Sequence, residues 1–143
     1  MRMAPITEEN LEECIRLNVA EEQRKFVATN LYSLAQAYVY PNTAHPFALC
    51  DGEKMVGFAM LEMDETEQKY ALWRFMIDAR FQGKGYGRAA LALLIAHMRS
   101  RGAQEISLSY VPGNEAGEHL YRAMGFVPTG DVDGGEIVMK VAF

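Results

Sequence analysis

The segment from Lys69 to Met98 leaves few choices of fold. It runs from an apolar, aromatic stretch, KYALWRFMID, through RFQGKGYG and into AALALLIAHM. The first piece suits a buried strand, and in the last Leu91, Leu94, Ile95 and Met98 recur at the spacing of one helix face. Between them Gly83, Gly85 and Gly87 alternate with other residues. Glycine lacks a Cβ, so its backbone reaches angles and approaches that other residues avoid. A strand, a glycine loop and a helix N-terminus in that order gather N–H donors that lack intrahelical partners and about half a positive charge at one point. Lys84 and Arg88, with Arg80 just before, add cations suited to phosphate oxygens. The unit therefore reads as an anion site. A tight strand-to-helix turn packed on glycines is the competing reading. The spacing is neither a Walker A loop, which needs GK followed by Ser or Thr, nor a GxGxxG on the first strand of a βαβ unit.

The rest of the chain falls into short elements around this unit. APITEENLEECIRLNV reads as a strand and then a helix capped by Thr7, with Glu8 and Glu9 in its first turn. A second helix covers about Asn30 to Tyr40 and stops at Pro41. HPFALCDGEKMVGFAMLEMD reads as a hairpin turning at Asp51 and Gly52. EISLSYV is a strand, NEAGEHLYRAM a helix begun by Asn114, and the segment from Gly125 onward a closing pair of strands. The order is β-α-α-β-β-β-α-β-α-β-β, an α/β chain, and residues 1–143 read as one domain.

Composition excludes several functions. A net charge of −5 argues against a nucleic-acid binder, which would carry a basic face. The longest apolar run, AALALLIA, is far too short to span a membrane, and MRMAPITEEN has no signal-peptide core, so a cytoplasmic protein is expected. His45, His97 and His119 are scattered without ligand spacing, and no metal is expected. Cys14 and Cys50 form no CxxC pair and sit in apolar contexts, as buried thiols do.

Two stretches carry a family resemblance. QGKGYG, Gln82 to Gly87, resembles the Q/R-x-x-G-x-G/A signature of the GNAT superfamily of acyl-CoA N-acyltransferases, and NEAGEHLYRAMGF, Asn114 to Phe126, is similar to its second signature. The element order matches that fold, so the resemblance spans essentially the whole chain. It implies a mixed sheet of about seven strands flanked by about four helices. It also implies acetyl-CoA as cosubstrate, its pyrophosphate received by Gln82, Gly83, Lys84, Gly85, Tyr86, Gly87 and Arg88. The backbone of Phe75, Met76 and Ile77 would pair with the pantetheine arm, and Asn114 would help to hold it. Exposed edges in such a fold often pair subunits, which leaves room for a homodimer.

Tyr121 is the catalytic residue that this resemblance implies, as proton donor to the departing thiolate. Asn114 and Tyr121 are seven apart and so face one side of a helix. A phenol with a pKa near 10 is protonated at neutral pH and able to donate. Packing beside Leu120 and Met124 is the alternative for this ring. The acceptor amine must lose a proton, and the familiar Glu on the strand before the signature loop is missing from YALWRFMI. Glu62 and Asp64, two apart on the preceding strand, face one way and can act through water.

Charge points to the acceptor. Residues 1–72 hold twelve acids and six bases, residues 73–143 seven and eight. An anionic cleft would attract and retain a polycation. The stretch from Leu17 to Leu61 is similar to bacterial spermine/spermidine acetyltransferases of the Blt type, which implies a small polyamine substrate. Glu21, Glu22 and Glu62 would hold its distal ammonium, and Trp73, with Tyr38, Tyr40, Phe47 and Phe75, would flank its methylene chain. Acetylation of an aminoglycoside, an amino acid or a protein N-terminus stays open, as does a CoA-binding sensor without catalysis.

Overall fold

The computed structural model describes residues 1–143. Seven strands form one sheet: β1 Arg2–Pro5, β2 Ala44–Asp51, β3 Lys54–Asp64, β4 Lys69–Ile77, β5 Glu105–Tyr110, β6 Val127–Asp133 and β7 Glu136–Ala142. Their spatial order is β1-β2-β3-β4-β5-β7-β6, and every neighbouring pair is antiparallel except β4 and β5. The helices are α1 Leu11–Arg16, α2 Asn30–Val39, α3 Tyr86–Ser100 and α4 Glu115–Ala123, with a 3₁₀ helix over Glu21–Phe26. The expected element order and the seven-stranded, four-helix architecture are those of the structure.

Each sheet face carries its own core. Ala59, Leu61 and Met63 of β3 pack with Leu91, Leu94 and Met98 of α3 and with Tyr121 of α4. Phe58 and Met60, one residue out of phase on the same strand, pack with Cys14 and Leu17 at α1 and with Leu34 and Ala37 of α2. That alternation is the period of a strand buried on both sides. Both cysteines are free and buried, Cys14 fully, as small hydrophobes.

The expected Thr7 cap is corrected. The first helix begins only at Leu11, and Thr7 instead closes a turn in which its N–H donates to Asn10 Oδ1 at 2.7 Å. Glu8 and Glu9 lie in that turn, ahead of the helix. The second helix is capped by Thr29, whose side chain accepts the Tyr32 N–H at 3.1 Å.

Two irregularities shape the middle of the sheet. Met60 pairs with Arg74 and Leu61 with Leu72, so Trp73 is an extra residue in β4, a β-bulge. Beyond it, β4 and β5 separate: they pair only at Ala71 with Ser107 and at Leu72 with Leu108. The β4 edge from Trp73 to Ile77 therefore has no strand beside it on the β5 side. No helix is long and apolar enough to cross a membrane.

Candidate active site

The wedge between the diverging strands opens into two cavities that share a wall. The first, about 280 Å³, lies between the β4 edge, the signature loop and α4; Phe75, Met76, Ile77, Gln82, Gly83 and Gly87 are among its lining residues. The second, about 350 Å³, opens on the other side of the same wall and reaches Trp73, Arg74, Ser109 and Glu136. Phe26, Val27, Phe75, Asn114 and Tyr121 line both.

The signature loop is held open by its neighbours. Asp78, buried at the end of β4, accepts from the Asn18 N–H, the Arg80 N–H and the Arg80 Nε. Gln82 Nε2 donates to the Ile77 carbonyl at 2.9 Å and to Gln23 Oε1 at 2.8 Å, tying the loop to β4 and to the 3₁₀ helix. The Ile77 carbonyl is thus already engaged. Gly83 and Gly85 have φ of 75° and 86°, and a Cβ at either would meet only open space. Gly85 is the residue before α3, so the loop presents the helix N-terminus to that space. Gly87 has a different use: a Cβ there would meet Leu120 Cδ2 at 3.4 Å, where α3 approaches α4. The cations Arg80, Lys84 and Lys54 gather over the Phe81 ring at 5.0, 6.0 and 5.5 Å. Arg88 is exposed, and Tyr86 turns to Asp51, to which its hydroxyl donates at 2.6 Å.

The second signature has an equally local meaning. Asn114 caps α4 by accepting the Gly117 N–H at 3.1 Å. Gly125, with φ of 96°, ends the helix and brings Phe126 under it, edge-on to Tyr121 with ring centroids 6.2 Å apart. Tyr110 also packs against Tyr121, with ring centroids 6.4 Å apart. Burial pushes the Tyr121 pKa up to about 12, so the phenol is fully protonated at neutral pH. Tyr121 is therefore both a packed residue and one whose ring lies in the common wall.

The remaining candidates are dispersed. Trp73 lines the second cavity, with Tyr40 packed on it at 5.9 Å. Glu62 lies one cavity further along the sheet, where it pairs with Lys69 at 3.3 Å; that space shares Leu72, Trp73, Arg74, Ser109 and Glu136 with the second cavity. Glu21 and Glu22 are exposed on the 3₁₀ helix and line neither cavity; that helix contributes Gln23, Lys25 and Phe26 instead. Tyr38 is 87% exposed, and Phe47 packs against His97 within the α3 side of the fold. Neither flanks the wedge. No three His, Cys, Asp or Glu side chains are grouped to hold a metal ion.

Arg74 and Glu136 are the polar residues that the sequence reading missed. Arg74 donates to Gln36 Oε1 and to the Trp73 carbonyl, both at 3.0 Å, while its Nε is buried without a partner. Burial depresses its pKa, and the Glu136 carboxylate counteracts this. An apolar strand with one Arg gave a signal for the first; nothing near Glu136 in the chain distinguishes it.

The model of the Acetyltransferase (GNAT) family matches residues 8–126. The chain belongs to that family. It is 32% identical to the spermine/spermidine N(1)-acetyltransferase of Bacillus subtilis (strain 168) over 94% of this chain and 93% of that one. Among solved structures, a spermidine N-acetyltransferase from Vibrio cholerae in complex with CoA and spermine superposes with a TM-score of 0.75 at 19% identity, covering 97% of this GNAT chain and 92% of that one. The PaiA N-acetyltransferase of Thermoplasma acidophilum, in complex with coenzyme A, gives 0.73 at 19% identity over 99% and 98%. These structural likenesses are of fold.

Proposed function

We propose that this acetyltransferase moves the acetyl group of acetyl-CoA to a primary amine of a small polyamine, by direct attack within a ternary complex. The observation that carries the reading is Tyr121, set in the wall between a cavity at the glycine loop and a second that opens along the sheet. The residues fit acetyl-CoA: the open space over Gly83 and Gly85 receives the pyrophosphate beside Lys84 and Arg88, and the unpaired β4 edge at Phe75 and Met76 receives the amides of the pantetheine arm. Asn114 lies against that arm. The thioester then faces the shared wall.

The amine enters from the second cavity. Its nitrogen bonds to the acetyl carbon, the C–S bond breaks, and Tyr121 gives its proton to the departing sulfur. Glu62, one cavity away, takes the amine proton through water. The Trp73 ring flanks the methylene chain, and Glu21 and Glu22, exposed beside the first cavity, raise the local concentration of a polycation rather than hold it. The 32% identity to a spermine/spermidine acetyltransferase over almost the whole chain supports the polyamine. A second reading rests on Lys25 and Arg74, two cations lining the second cavity, which favour an amine that also carries a carboxylate, such as an amino acid.

Thiol release from acetyl-CoA, followed across spermidine, spermine, butylamine, an aminoglycoside and free amino acids, tests both. Turnover led by spermidine and spermine supports the first. Turnover led by amino acids transfers the assignment to the second, and acetyl-CoA binding without thiol release on any amine rejects an enzyme altogether.

A further inference from the structure

Glu136 is the sole carboxylate lining the cavity that the acceptor would enter. It comes from β7, at the far end of the chain, and reaches the wedge because β7 lies beside β5: Ile137 pairs with Tyr110 and Val138 with Ser109. Ser109 fixes it, donating its hydroxyl to Glu136 Oε1 at 3.1 Å. No Lys or Arg lies within ion-pair distance of it. Arg74, which lines the same cavity, spends its terminal nitrogens on Gln36 and on the Trp73 carbonyl instead. The carboxylate thus keeps a charge that the protein does not neutralise at contact range, and one oxygen has no protein donor.

Its position suits a linear ligand. Glu136 lines both the second cavity and the one beyond it, so it stands at their junction, with Tyr121 in the wall of the former and Glu62 in the latter. A chain with its attacked nitrogen near Tyr121 passes Glu136 on its way out. Lys25 and Arg74 make the rest of the second cavity unfavourable to a cation, so within it the second charge of the ligand has one carboxylate beside which to settle.

We infer that Glu136 is the specificity-determining residue of the acceptor site, pairing with the second ammonium of a linear di- or polyamine whose first amine is attacked. This rests on the polyamine reading and moves the distal anchor from Glu21 and Glu22 to β7.

Glu136→Gln keeps the shape and removes the charge. With spermidine the KM rises roughly two- to fivefold, the scale of one partly exposed ion pair, and the preference for spermidine over butylamine in kcat/KM falls by the same factor. Glu136→Asp restores part of that preference, and thermal melting of each variant shows whether it is folded. Added salt weakens spermidine less in Glu136→Gln than in the wild type. An unaltered preference in a folded Glu136→Gln protein overturns the inference and leaves the polyamine reading standing. A fall in kcat of equal size on both amines overturns it as well, since it makes the carboxylate a base. A wild-type enzyme inactive on spermidine and spermine overturns the inference and the polyamine reading together.

Discussion

The backbone N–H of Asn18 donates to Asp78 Oδ2 at 3.0 Å, across sixty residues of sequence, and so fastens the segment after α1 to the strand end that launches the signature loop. The Ala79 N–H returns to the Asn18 carbonyl at 2.8 Å. Burial alone would raise the Asp78 pKa, but hydrogen bonds from the Arg80 side chain and from the Asn18 and Arg80 backbone outweigh it and hold the group below its ordinary value of 3.8. A lowered carboxylate pKa contributes stability that is complete above the unfolded value and fades as pH falls through the folded one. Asp78→Ala leaves buried donors unpaired, at about 1–3 kcal/mol. Urea unfolding of the two proteins should show a gap that is constant from pH 5 to 8 and closes on acidification below about pH 4. A gap independent of pH would show that the charge is irrelevant.

Gly85→Val should weaken acetyl-CoA binding by at least about tenfold, because a β-branched residue is strained at a φ of 86° and its side chain would occupy the open space over the loop. Gly130→Val is the control, having a similar φ of 90° on the exposed edge strand β6. It should lower the Tm without changing affinity. Lys84→Ala removes one exposed cation and should cost about fivefold or less. Calorimetric titration measures all three, and an unchanged Kd in folded Gly85→Val would remove the loop from the binding site.

Tyr121→Phe keeps the contacts with Tyr110 and Phe126 and removes the proton. The kcat should fall by roughly 10²–10⁴ while the acetyl-CoA Kd changes little. With the phenol pKa near 12, the wild-type rate should rise with pH as the amine loses its proton, with no decline from this group below about pH 11. Near-wild-type turnover in the variant would leave Tyr121 a packing residue.

The Cys14 thiol is fully buried, and burial, followed by the Glu13 carboxylate, pushes its pKa up to about 11. A disulfide reagent should therefore leave it unmodified in the native protein at pH 7 and label it only as fast as the α1 region opens. The Asp78→Ala variant, having lost the clasp at Asn18, should be labelled faster. Prompt labelling of both cysteines in the wild type would contradict this packing.

The fold was legible where side-chain period and glycine placement act locally. Gly83, Gly85 and Gly87 before the Leu91–Met98 stripe, and Asn114 with Gly125 at the two ends of α4, mark their elements without reference to anything distant. The site was only half legible, because its second cavity depends on which strands become neighbours. Glu136 reaches the wedge through the pairing of β7 with β5, and Gln82 meets Gln23 fifty-nine residues away. The Trp73 bulge was hidden too, since an apolar run looks the same with or without one extra residue. Charge counting drew attention to Glu21 and Glu22, which are close to the wedge in sequence yet face solvent.

That extra residue also separates what the two sides of the enzyme can become. Because Trp73 interrupts the alternation of β4, Leu72, Phe75 and Ile77 pack with the α3 and α4 core, Trp73 packs with the core on the other face, and the adjacent pair Trp73 and Arg74 line the second cavity together. On the function proposed above, the thioester lies against the loop and the core behind it. On the same reading the bulged pair belongs to neither, so drift at those two positions would change which amines are accepted while the acyl donor stays the same.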